Sequence, residues 1–154
     1  MAMLAAWRLV KARHARAAFD GEGARLYGGR WNSTGTRMVY TAATPSLAVL
    51  EVLVHLHVTG PLGGYVLIEA AIPETLVDEA RRLPADWRIQ PAPESTRRLG
   101  DDWIRSASSA ALAVPSVLSP SERLFLLNPA HRDFGRIRIG KPSPFVIDPR
   151  LLKS

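Results

Sequence analysis

Residues 28–56 read GGRWNSTGTRMVYTAATPSLAVLEVLVHL, and the period of the pattern changes half-way along. "RMVYTA" (37–42) is β-branched and aromatic, a strand signal. Thr44-Pro45 then opens a helix, with Thr as the N-cap and Pro at the first helical position. Leu47, Leu50, Val54 and Val58 follow at helical spacing and predict a buried stripe. Glu51 stands inside that apolar run, where an ionised carboxylate is costly unless something pairs with it or uses it.

Upstream, "AAWRLVKA" (5–12) reads as a strand with Trp7 and Leu9 on one face and Arg8 and Val10 on the other. Phe19 to Gly35, rich in Gly, Asn and Ser, reads as an ordered loop without helical period. Downstream, "GYVLIEAAIP" (64–73) is a clear strand, "LPADWRIQPAPES" (83–95) a Pro-punctuated loop, and "STRRLGDDWIRSAS" (95–108) a helix weakened by Gly100. "AALAVPSV", "RLFLLNP", "GRIRIG" and "SPFVIDP" (110–117, 123–129, 135–140, 143–149) are four short strands punctuated by Gly or Pro. Many strands with few helices, not regularly alternating, predict a compact α+β domain with a mixed sheet, not a doubly wound parallel one. At 154 residues the chain suits a single domain spanning 1–154.

Composition narrows the function classes. Hydrophobic residues make up 47% and charged residues 22%, ordinary for a folded protein. Cys is absent, which removes a disulfide framework, a thiolate metal site and a Cys nucleophile, and fits a reducing, cytoplasmic setting. The N-terminal charges follow the short apolar stretch, the reverse of a secretory signal. Leu47 to Val58 is too short and, with Glu51, His55 and His57, too polar to span a bilayer. The net charge of +6 comes mostly from arginine and is spread along the chain, so it attracts polyanions, with arginine favouring bidentate recognition of phosphate or carboxylate.

The familiar catalytic patterns are missing. "GEGARLYGG" (21–29) lacks the strand before it, the helix after it and the third-glycine spacing of a dinucleotide fingerprint. Its glycines instead allow a tight loop or, at Gly29, close approach of a ligand to the backbone. No pair among His14, His55, His57 and His131 has a zinc spacing, and no G-x-S-x-G elbow is present. Arg30 is either a surface guanidinium stacked on Trp31 or a phosphate fork. Tyr40, read alone, is a core residue with its hydroxyl reaching water. Glu51 either pairs with His55 in a narrow polar strip or sits at the floor of a pocket. Ser116 in "VPSV" caps a turn, and "NPAHRDF" (128–134) is a turn with polar side chains.

Together, "GGRWN-x-x-G-x-x-x-x-Y", an A-x-x-E helix, a VPS turn and an NP-x-H turn, in this order from about Trp7 to Phe134, resemble the RES domain. The resemblance implies an ADP-ribosyltransferase-like fold and the toxin of a bacterial toxin–antitoxin pair. Such toxins destroy NAD+ by breaking its nicotinamide–ribose bond, with water or inorganic phosphate as acceptor. NAD+ is then substrate, and neither a cofactor nor a metal is implied. The implied partner is a helix-turn-helix (Xre-like) antitoxin that covers the active site, so that DNA is met only through it; no membrane is involved, and the toxin dimerises. By motif, Arg30, Tyr40, Glu51 and Ser116 match the catalytic positions, and Arg8, Gly29, Asn128 and His131 the substrate-binding surroundings.

The implied roles have a physical logic. Cleavage creates an oxocarbenium-like ribosyl cation, which an enclosed carboxylate at Glu51 stabilises. Arg30 would hold the pyrophosphate, Tyr40 would stack on the nicotinamide, and Ser116 would orient Glu51 or the ribose. Three rival readings stand beside this one. The same site serves an ADP-ribosyltransferase that modifies a macromolecule, since only the acceptor differs. The basic "RDFGRIRIGK" (132–141) suggests an RNA-binding protein or RNase, although its "RIRI" alternates like a strand with one polar face. The third rival is a purely structural or binding role.

Overall fold

The computed structural model describes residues 2–56 and 63–152; His57 and Val58 lie outside them. In chain order the elements are β1 (Met3–Lys11), α1 (Glu22–Tyr27), β2 (Val39–Ala42), α2 (Pro45–Leu53), β3 (Tyr65–Pro73), β4 (Val77–Glu79), α3 (Glu94–Ser106), β5 (Ala111–Pro115), β6 (Arg123–Leu127), β7 (Arg138–Ile139) and β8 (Ser143–Phe145). The strands form one sheet in the order β4-β5-β6-β2-β1-β3-β7, with β8 also on β3. All pairs are antiparallel except β4 with β5. This is the expected α+β mixed sheet. No helix of the described residues is long and apolar enough to cross a membrane.

Alternation along the strands builds a core on both faces. In β5, Ala111 and Ala113 join the cluster of Phe125, Leu127, Val39 and Ile68, while Leu112 and Val114 join that of Trp31, Met38, Leu47 and Trp103. β6 divides in the same way, Phe125 and Leu127 against Leu124 and Leu126. Strands covered on both faces need unbroken apolar runs, which "ALAV" and "LFLL" supply.

β1 and β3 pair over their whole length, from Met3↔Pro73 to Lys11↔Tyr65. Between β1 and β2, by contrast, the ladder has the single pair Trp7↔Ala42. Beyond it the strands part, and Arg8 fills the opening by donating from Nη1 to the Tyr40 carbonyl at 3.0 Å. That parting forms one wall of the site described below.

Four expectations change. The predicted stripe of α2 is rotated: Leu47, Ala48 and Val49 are buried, whereas Leu50 and Val54 are 43% and 51% exposed. Nearly every position of "SLAVLEVL" is apolar, so the period carries no phase, and seating Leu47 and Ala48 in the core beside Ala42 fixes the rotation. The start of α2 is as expected, with the Thr44 hydroxyl accepting from Leu47 N at 3.1 Å and Pro45 in the first turn.

Residues 22–27, taken for loop, form α1. It lies between Gly21 (φ 76°) and Gly28 (φ 70°), begins with Asp20 Oδ1 accepting from Glu22 N at 2.8 Å, and carries a Glu22–Arg25 ion pair. Six residues are too few to show a period. β4, which lies beside β5, also escaped the sequence pattern for its brevity. Gly100, expected as a weakness of α3, is where the helix meets the Trp31 backbone: a Cβ there would lie 1.6 Å from the Trp31 carbonyl oxygen.

Candidate active site

The Trp31 segment is built around one buried amide. Asn32 is fully buried, and its Nδ2 lies within bonding distance of the carbonyls of Ala24 (2.8 Å), Ser33 (3.1 Å) and Thr36 (3.0 Å). Its Oδ1 accepts from the Tyr40 hydroxyl at 2.7 Å, and that hydroxyl accepts from Trp31 N at 2.9 Å. Asp101 of α3 closes the arrangement by accepting from Ser33 N at 2.9 Å. Tyr40 Oη therefore pins the "GGRWN" loop to β2 and does not reach water as expected. Burial holds its phenol well above the ordinary tyrosine value. Gly29 serves the same contact. A Cβ there would stand 2.6 Å from Tyr40 Oη, so the missing side chain makes room for the tyrosine.

This loop, β1, β2 and α2 enclose a cleft of about 1190 Å³ lined by Trp7, Arg8, Tyr27, Gly29, Arg30, Tyr40, Glu51, His55, Gln90 and Arg97, among others. Ordinary small-molecule pockets run to about 1,000 Å³, so there is space for a ligand of dinucleotide size. Three arginines against one carboxylate make the named charges of its wall positive, which suits a diphosphate.

Glu51 looks into the cleft from α2. Its Oε1 accepts from the Ser116 hydroxyl at 2.8 Å. The same Ser116 oxygen accepts from Leu118 N at 3.1 Å and Ser119 N at 3.3 Å, so the fully buried Ser116, in the turn after β5, aims its one hydroxyl proton at the carboxylate. Of the two readings of Glu51, the pair with His55 is not formed: Glu51 is held by Ser116 at the wall of the cleft, and His55, just past the end of α2, stands exposed in the same wall.

Arg30 does not stack on Trp31, which is buried away from it at 1% exposure. Its Nη1 donates to the carbonyls of Trp87 (3.0 Å) and Ile89 (2.8 Å), and its Nη2 to Gln90 Oε1. Among the described residues these bonds occupy three of the five guanidinium N–H groups, which leaves Nε–H and one on Nη2 for a ligand. Desolvation lowers the Arg30 pKa, opposed first by the charge of Glu51 across the cleft. Desolvation also lowers that of Arg8, with Asp20 opposing, and Arg8 Nε is buried without a hydrogen-bond partner among the described residues.

The expected site residues thus divide. Arg8, Gly29, Arg30, Tyr40 and Glu51 line the cleft, and Ser116 stands directly behind Glu51. Asn128 and His131 do not join them. Asn128 Oδ1 accepts from Ala130 N at 3.0 Å and His131 Nδ1 from Asp133 N at 3.0 Å, so both are consumed in folding their own turn, past the end of β6. Gln90, Arg97, Tyr27 and Asn32 were missed. Only Asn32, set inside "GGRWN", gave any local signal.

A model of the RES domain matches residues 5–148. The chain belongs to the RES domain family. Among proteins of this family it is similar to a toxin Res of Yersinia enterocolitica, 38% identical over 148 residues that make up 94% of this chain and 97% of the relative. It is also similar to the Prs ADP-ribosylating toxin of a Sphingobium species, 37% identical over 155 residues and 96% of each chain. In three dimensions this RES domain resembles a chain of the crystallised M. tuberculosis MbcT–MbcA toxin–antitoxin complex, with a TM-score of 0.74 over 97% of this chain and 87% of that one. At 16% identity that likeness is one of fold.

Proposed function

We propose that this RES domain is the toxin of a toxin–antitoxin pair and cleaves the nicotinamide–ribose bond of NAD+ in the cytoplasm. The observation that carries the reading is Glu51, aimed by Ser116 into an arginine-lined cleft of dinucleotide size. The C–N bond breaks heterolytically, and its electron pair neutralises the pyridinium nitrogen of the departing nicotinamide. The leaving group is neutral, so no strong general acid is needed. The cation left on the ribose meets the carboxylate of Glu51, whose attraction grows as the charge develops, and such charge-matched stabilisation acts on the rate and not merely on binding. Water then adds with loss of a proton, giving ADP-ribose, or a phosphate oxygen adds, giving the 1-phosphate. The free edge of Arg30 offers donors to the diphosphate or the ribose, and Arg8 adds positive charge to the same wall. The chemistry calls for no metal and no further cofactor.

Exposed apolar groups edge the cleft, Tyr27 at 83%, Val54 at 51% and Leu118 at 42%. They support a protein partner that covers the site, and in our reading this is the cognate helix-turn-helix antitoxin. The test is NAD+ consumption by antitoxin-free protein, with and without inorganic phosphate, the products separated by chromatography. The expected result is nicotinamide release, lowered at least a hundredfold in Glu51→Gln with the fold retained. Full activity in that variant overturns the role of Glu51. The name of the Sphingobium relative favours a second reading, transfer of ADP-ribose to a macromolecule. Label from [32P]NAD+ on a protein or nucleic acid, with stoichiometric nicotinamide release, would establish it.

A further inference from the structure

Arg30 settles which way the Gln90 side chain faces. A guanidinium has only donors, so the Gln90 atom that meets Nη2 is the carbonyl oxygen Oε1, and the amide nitrogen is turned away from it. Gln90 lines the cleft, and its Nε2 has no partner among the described residues. The backbone around it is already fixed, because Arg30 Nη1 binds the carbonyls of Trp87 and Ile89. Arg30, Gln90 and Glu51 line the same cleft. An exposed amide held at its oxygen and free at its nitrogen presents N–H donors to whatever enters.

We infer that Gln90 is a specificity-determining residue: fixed by Arg30, its Nε2 donates to a hydrogen-bond acceptor of the substrate in the cleft. The inference rests on the NAD+ reading. That substrate has two acceptors of suitable chemistry, a diphosphate oxygen and the carboxamide oxygen of nicotinamide. Arg30 then has a second duty besides its own free edge, as the residue that positions this donor. A charge-neutral donor beside a guanidinium binds an anion or a carbonyl without changing the charge balance around Glu51. That allows it to select the ligand without weakening the stabilisation of the ribosyl cation.

Gln90→Glu separates this role from a structural one. The glutamate still accepts from Arg30, so a merely structural Gln90 would be replaced without loss. It presents lone pairs where the amide presented hydrogens, so a ligand-reading Gln90 would be lost and the acceptor repelled. The expected result is a KM for NAD+ raised about tenfold or more, kcat within about threefold, and an unlowered thermal midpoint. Titration of ADP and product inhibition by nicotinamide identify the acceptor. Weaker ADP binding with unchanged nicotinamide inhibition points to the diphosphate, and the converse to the carboxamide; either supports the inference. Gln90→Ala removes the donor without adding charge and should raise KM about fivefold. Wild-type KM and wild-type inhibition in Gln90→Glu, or a loss confined to kcat, overturn the inference. If the wild-type protein consumes no NAD+, the parent reading fails, and the ADP titration alone then judges Gln90: equal affinity in wild type and variant rejects it.

Discussion

Gly100→Ala pits a local gain against a tertiary cost. In an exposed helix interior, alanine in place of glycine stabilises by about 1 kcal/mol. In α3 the new methyl would lie 1.6 Å from the Trp31 carbonyl oxygen and 2.7 Å from its carbon. A carbon–oxygen contact relaxes only beyond about 3.2 Å, so backbone must move by about 1.5 Å, and neither α3 nor residues 31–33 can yield cheaply. Ser33 N is held by Asp101 of the same helix, and Trp31 N by Tyr40. Overpacking costs about 1–3 kcal/mol in general. With backbone on both sides the upper end applies, and subtracting the propensity gain leaves a net loss of about 2 kcal/mol. For a chain of this size that is a fall of about 4–8 °C in the thermal midpoint. Urea unfolding followed by tryptophan fluorescence measures it directly. Catalysis should drop as well, because the displaced segment carries Arg30. An alanine variant as stable as the parent or more so would refute the close approach of α3 to the loop.

Two further perturbations address the network behind the cleft. Tyr40→Phe leaves Asn32 Oδ1 without its donor, at an expected cost of about 1–3 kcal/mol in denaturant unfolding. The raised phenol of Tyr40 also has a pH signature. Above about pH 10 the unfolded chain releases this proton while the folded one keeps it, so the wild type loses stability as pH rises from there toward the folded-state value, and Tyr40→Phe should show less of that fall. Parallel stability curves from pH 9 to 11 would contradict this. Ser116→Ala should lower kcat about tenfold, less than removal of the Glu51 charge, with KM little changed, since it frees the carboxylate without deleting it; an unchanged kcat would show that Glu51 needs no orienting.

Much of this was legible because local chemistry determined it. Thr44-Pro45 starts α2 wherever the rest of the chain goes, and the doubly covered β5 and β6 show as unbroken apolar runs. The anomaly of Glu51 was visible too, but not the side chain that holds it. Its geometric partner Ser116 lies 65 residues on, and the nearer His55, at helical spacing, was the tempting alternative. The phase of α2 was hidden because a nearly all-apolar window has no polar face to orient it. The grip of Arg30 was hidden for a different reason: its acceptors at positions 87 and 89 are backbone carbonyls, which every residue possesses and no pattern marks. Gly100 was misread because propensity is a property of an isolated helix, whereas the reason for the glycine is another segment's carbonyl. Asn128 Oδ1 and His131 Nδ1, in residues carried over by motif, are committed to their own turn, a competition that spacing does not reveal.

The single rung between β1 and β2 is the shortest ladder in a sheet whose core packing runs across it. One leaf is β4, β5, β6 and β2; the other is β1, β3, β7 and β8; a peptide pair at Trp7 and Ala42 and the Arg8 side chain tie their parted edges. A ligand in the cleft touches both leaves at once and so acts as a clasp. Amide exchange at this seam should be the fastest within the sheet when the cleft is empty, and should slow there more than elsewhere when it is filled. Substrate would then tighten the joint that forms one wall of its own site.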